Sequence, residues 1–159
     1  MAKKNNKITP QIVKKAYEVA KDYYDKKTSL QEAQCCLIRC GMNENSANDY
    51  IYNYSNLIQG KLFTRTTNSC GTDYYLHKIY EDNGQSGLKN ALISLSQHID
   101  YYEEKSGTTV KLRREIYNKY LEFLDNKLET SVFPDEVDGN TKYAEGKTKT
   151  VLVNSYERN

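Results

Sequence analysis

An all-α bundle of five to six helices, with a short β element and a C-terminal linker, is the fold this sequence predicts. Apolar residues recur at helical spacing through most of the chain. Thr, Ser and Asn stand where helix N-caps belong. Single glycines stand where helices would stop.

Residues 1–8 form a polar, basic tail, 9–128 the helical body, and 129–159 a linker with a short strand. Thr9-Pro10 opens the first helix: Thr9 caps it, and Pro10 sits where a missing N–H costs nothing. Ile12, Val13, Ala16, Tyr17, Ala20 and Tyr24 make its buried stripe, which fades at Lys26-Lys27. Ser29 and Glu32 have capping-box spacing, with Thr28 and Gln31 as the alternative pair. That second helix stops near Gly41. The stretch from Asn43 to Ser46 offers caps for a third helix, which buries Ala47, Tyr50, Ile51, Tyr54, Leu57 and Ile58 and ends at Gly60.

Residues 61–68 permit a short strand by alternation, although their flanks favour a connecting loop. A fourth helix runs from Ser69 or Thr72 to Asp82, with Leu76, Ile79 and Tyr80 inward, and Asn83-Gly84 is a turn. The fifth has the clearest periodicity: Leu88, Ala91, Leu92, Leu95, Ile99 and Tyr102, closed by Gly107. A sixth starts near Thr108 or Thr109 and buries Leu112, Ile116, Tyr120 and Phe123 or Leu124. Beyond Lys127 the composition turns acidic around Phe133-Pro134. Residues 148–153 have strand propensity but need a partner, either 61–66 or a segment outside this chain.

The 38% hydrophobic and 28% charged residues fit one water-soluble domain. No apolar run approaches the ~18–20 residues of a membrane span, and no signal-type stretch follows the basic N-terminus, so a cytoplasmic location is expected. Net charge is +2, but residues 1–80 carry 12 Lys/Arg against 7 Asp/Glu and residues 81–159 carry 11 against 14. The mild positive excess of the first half suits an anionic partner. Fifteen tyrosines and no tryptophan fit half-buried faces of a wet core, or else an interface or stacking surface.

Candidate catalytic chemistry is sparse. Cys35, Cys36, Cys40 and Cys70 lack paired zinc-ligand spacing, so reduced, buried thiols acting as small apolar residues are expected. His77 and His98 belong to no metal-binding pair and are expected near the surface. Asp100, Glu103 and Glu104 have the pattern of a solvated helix face. The glycines form no phosphate loop, so no nucleotide is expected. No catalytic or metal-binding residue is assigned, and no cofactor is expected.

Two basic clusters remain. Lys61 and Arg65 flank Phe63 among threonines and an asparagine, the residue types that contact phosphates and stack or wedge against bases. Lys111, Arg113 and Arg114 open the sixth helix, where the dipole does not favour cations. These six residues are the candidate DNA-binding set.

Two stretches carry a resemblance. GMNENSANDYIYNYSNLIQGKLFTRTTN continues through TDYYLHKIYEDNG and LKNALISLSQHIDYYEE; the second is YAEGKTKTVLVNSYERN. Together they resemble the N-terminal region of bacterial HNH endonucleases of the McrA-like, 5-methylcytosine-specific restriction class, over roughly residues 30–159. In that family a zinc-bound HNH domain follows, with Cys-x-x-Cys ligands and a His-His…Asn…His core. None of it stands before Asn159, so no catalytic residue carries over. The chain is then expected to be an excised domain or a natural truncation, with divalent metal only in the absent nuclease domain. The resemblance implies a non-catalytic domain that recognises or positions foreign DNA. The alternative is a helical dimerisation module with no DNA contact.

Overall fold

The computed structural model describes residues 7–132, with side chains to Leu128. Five α-helices follow in order: α1 (Pro10–Tyr24), α2 (Leu30–Arg39), α3 (Glu44–Gln59), α4 (Ser69–Ser106) and α5 (Lys111–Val132). No strand occurs among the described residues; 61–68 is a loop without ladder bonds, and 148–153 lies outside them, as do most of the N-terminal tail and nearly all of the linker.

Local chemistry accounts for the helix ends. The Thr9 hydroxyl accepts from the Ile12 N–H, with Pro10 in the first turn. Ser29 and Glu32 form a reciprocal capping box that starts α2. Asn43 caps α3 through Ser46, and Gly60 ends it with φ 66°. Asn68 caps α4 through Gly71, at 2.7 Å. The expected fourth and fifth helices run on as one broken helix, α4, so the described residues hold five helices, within the expected five to six. Its break is Gly84, with φ 66° and ψ −158°, a conformation open essentially to glycine alone. The expected Asn83-Gly84 turn is thus a kink between two helical halves.

Helices α1, α3 and the first half of α4 pack around tyrosines. Tyr17 meets Tyr54 and Tyr75 edge-on, each at 5.3 Å between centroids, and Tyr50 meets Tyr75 at 5.7 Å. These edge-to-face arrangements suit the ring quadrupole. Each buried hydroxyl needs a partner: Tyr75 donates to the Tyr50 carbonyl at 3.1 Å, Tyr50 to Asn68 Oδ1 at 3.1 Å, and Tyr17 to Asp82 at 2.8 Å. Tyr50 lies so close to α4 that a Cβ on Gly71 would stand 2.5 Å from its hydroxyl oxygen. The tyrosines therefore serve as a hydrogen-bonded core. Helix α5 closes the other side of α4 through Tyr120, Leu124 and the Tyr80–Phe123 pair.

Four expectations are corrected. Tyr24, expected in the buried stripe of the first helix, is 38% exposed at the last residue of α1. Cys35 and Cys40 are exposed and Cys36 is half-buried, because Ala33 and Leu37 are the residues that α2 buries fully; Cys70, in the first turn of α4, is exposed as well. Leu112 is 62% exposed, because Arg113 and Arg114 take the positions against α4. His98, expected near the surface, is 1% exposed.

Ile51 and Leu92 are both fully buried. Replacing either with alanine is expected to cost about 2–5 kcal/mol, read from denaturant melts. A Gly84→Ala change meets no neighbour within 4 Å, so its cost is backbone strain alone. About 1–3 kcal/mol is expected from the same melts.

Candidate nucleic-acid interface

The segment between α3 and α4 has no ladder of its own, yet most of its carbonyls are bonded. The donors are side chains of α4. Asn90, Ser94, His98 and Tyr102 recur every fourth residue and form one polar row on the helix. Asn90 donates to the Ile58 carbonyl at 3.2 Å and Ser94 to that of Lys61 at 2.5 Å. His98 Nδ1 bonds the Phe63 carbonyl at 2.7 Å, and Tyr102 donates to that of Thr64 at 3.2 Å. Gln97 adds a bond to the Gly60 carbonyl at 3.1 Å. From α3, the buried Asn53 holds the Arg65 carbonyl at 3.0 Å.

The row leaves an asymmetric surface. The carbonyls of Lys61, Phe63, Thr64 and Arg65 are taken, while the N–H groups of 62–67 have no acceptor among the described residues. Leu62, Thr64, Arg65 and Thr66 are exposed. A partner meets unbonded N–H groups there, together with Lys61 and Arg65.

Tyr102 joins the two basic clusters. Its hydroxyl holds Thr64, and the Arg113 guanidinium lies over its ring at 5.8 Å. Tyr102 thus links the loop that carries Lys61 and Arg65 to Arg113 of α5. None of these three cations makes an ion pair among the described residues. Asp49 on α3 feels the charge of Arg65, although burial is the larger influence and raises its pKa. Burial lowers the Arg113 pKa, with Tyr102 opposing.

The other three candidates are placed differently. Phe63 is only 5% exposed, and its ring stacks on His98 at 4.0 Å between centroids, so it offers no face to a base. Arg114 grips Glu103 with two nitrogens, one at 2.6 Å from Oε1. The same oxygen accepts the Val110 N–H at 3.1 Å, so Arg114 and Glu103 brace the turn before α5. Lys111 is exposed, but two residues before Arg113 puts it about 200° around the helix. The every-fourth-residue polar row on α4 is the feature that sequence reasoning missed. Its signal is visible in the sequence, yet Tyr102 there reads as apolar and His98 as a surface imidazole.

A groove of about 690 Å³ lies between α4 and α5, with Tyr80, Tyr120 and Phe123 among its lining and Glu81, Glu122 and Lys119 beside them. Among the described residues no group of three His, Cys, Asp or Glu is placed to hold a metal ion. No helix among them is long and apolar enough to cross a membrane. No family model, curated protein or solved structure matches the chain.

Tyr102→Phe keeps the ring under Arg113 and removes one hydrogen bond to the loop. A loss of about 0.5–1.5 kcal/mol is expected in thermal melts. Faster hydrogen exchange should be confined to 62–66.

Proposed function

We propose that this helical domain is a non-catalytic DNA-positioning module that grips the phosphate backbone through the segment 61–67 and Arg113. The observation that carries the reading is the α4 side-chain row. It occupies the carbonyls of Lys61, Phe63 and Thr64, while Lys61, Thr64, Arg65 and Thr66 are exposed and the N–H groups of 62–67 have no acceptor among the described residues. Main-chain N–H groups and cations together suit phosphate oxygens. The resemblance to the N-terminal region of McrA-like HNH endonucleases points the same way.

The chemistry of the surface favours backbone contact over base reading. Amides are the side chains that pair bidentately with adenine. Asn53, Asn68, Asn90 and Gln97 are all engaged inside the protein. Sequence or methylation specificity would then come from another part of a longer protein.

The experiment is a titration of fluorescent duplex at several salt concentrations. Arg65→Ala and Arg113→Ala should each flatten the salt slope by about one unit and weaken all sequences alike. Arg114→Ala should leave the slope unchanged, because its charge is already paired with Glu103. Methylated and unmethylated duplexes should bind equally. Absence of duplex binding even at low salt overturns the reading.

The α4/α5 groove favours a second reading, a protein–protein module in which its aromatic residues meet another chain. Self-association that is indifferent to salt, without duplex binding, would support it.

A further inference from the structure

His98 is a buried imidazole with one nitrogen satisfied and one orphaned. A carbonyl can only accept, so Nδ1 carries the proton in the 2.7 Å bond to the Phe63 carbonyl. Nε2 is then a lone-pair acceptor, and it is buried with no partner. The ring is clamped between the Phe63 ring at 4.0 Å and the Tyr102 ring at 4.8 Å.

The surroundings disfavour a charge at this position. On α4 itself the neighbour one turn on is the neutral Tyr102, and one turn back the neutral Ser94. The loop contributes the Phe63 ring and carbonyl, and its own charged residues, Lys61 and Arg65, are cations. Helix α5 contributes the Arg113 guanidinium, whose charge repels an imidazolium. Of the nearby acids, Asp100 is exposed and Glu103 is bound to Arg114 and Val110. Burial lowers the His98 pKa first, the Phe63 bond opposes, and Arg113 lowers it further.

We infer that protonation of His98 releases the segment 60–65 from α4, which makes this loop a pH-sensitive device. Protonation turns Nε2 into a donor with no acceptor and places a cation beside Arg113 in a dry site. The charged ring gains by reaching water, and leaving removes both the Phe63 stack and the loop's central hydrogen bond. The consequence for DNA rests on the function proposed above; the release itself does not.

The sign follows from linkage. The folded pKa lies below the unfolded value, so the contribution to stability is fully present above the unfolded pKa. It is lost as pH falls through the folded pKa.

The test is an NMR titration of the full chain from about pH 7.5 to pH 5, following the His98 ring nitrogens and the amides of 61–66. The expected result is a neutral ring protonated at Nδ1, with a midpoint below about 6.5. The loop amides should follow the same curve, while those of Ile51 and Leu92 stay still. Duplex affinity over the same range should fall by up to about tenfold per pH unit, the limit for one linked proton. His98→Gln, which keeps an N–H donor but does not titrate, should flatten that dependence. A midpoint at or above 6.5 would overturn the inference, as would loop amides that ignore the ring's titration. Loop release in a chain that binds duplex at no pH would support the device and refute the DNA reading alone. If the glutamine variant does not fold, the wild-type ring and loop curves still decide.

Discussion

Burying a tyrosine ring while satisfying its hydroxyl is the constraint on which this structure depends. Apolar burial by itself is non-directional. Here Tyr75 is fully enclosed and its hydroxyl reaches the Tyr50 carbonyl, so α3 and α4 have one mutual register. Tyr17 extends the constraint to α1, because Asp82 must stand where the phenol and Lys21 both reach it. Burial raises the pKa of Tyr50 and of Tyr54 to about 12, further from the physiological range than a solvated tyrosine. Gly71 belongs to the same device, since a side chain there would collide with Tyr50.

Once α3 and α4 are registered, the connection between them has one path. It runs along α4, where an irregular backbone would leave carbonyls unsatisfied. The α4 row supplies the missing donors, with His98 at its centre and Tyr102 at the end next to α5. Stability and surface chemistry are therefore coupled. The side chains that fix the loop also occupy the carbonyls of Lys61, Phe63 and Thr64, while Lys61 and Arg65 are exposed. Arg113, laid over Tyr102, links α5 to the same loop.

Much of the architecture was legible because it is local. Caps at Thr9, Ser29 and Asn43, stops at Gly60 and Gly107, and the apolar stripes of α1, α3 and the second half of α4 all depend on residues within a few turns. The Asn83-Gly84 signal marked the break at the right place, but whether the chain turns back or runs on depends on what each half packs against. Lys61 and Arg65 were legible as a cationic segment because no carboxylate lies within it.

What the sequence determined by itself was the helical class, most helix boundaries, the core stripes and the position of the cationic loop. Only the tertiary structure decided which faces those residues present. Phe63 points inward because His98 stacks on it, and Arg114 is spent on Glu103 across the α4–α5 turn. Cys35 stays outside and Cys36 is only half-covered because the side of α2 that its neighbours bury fully is that of Ala33 and Leu37. Each of these outcomes rests on a contact between residues distant in the chain or on different helices. Helical periodicity places residues on a common face, but what covers that face is decided by packing.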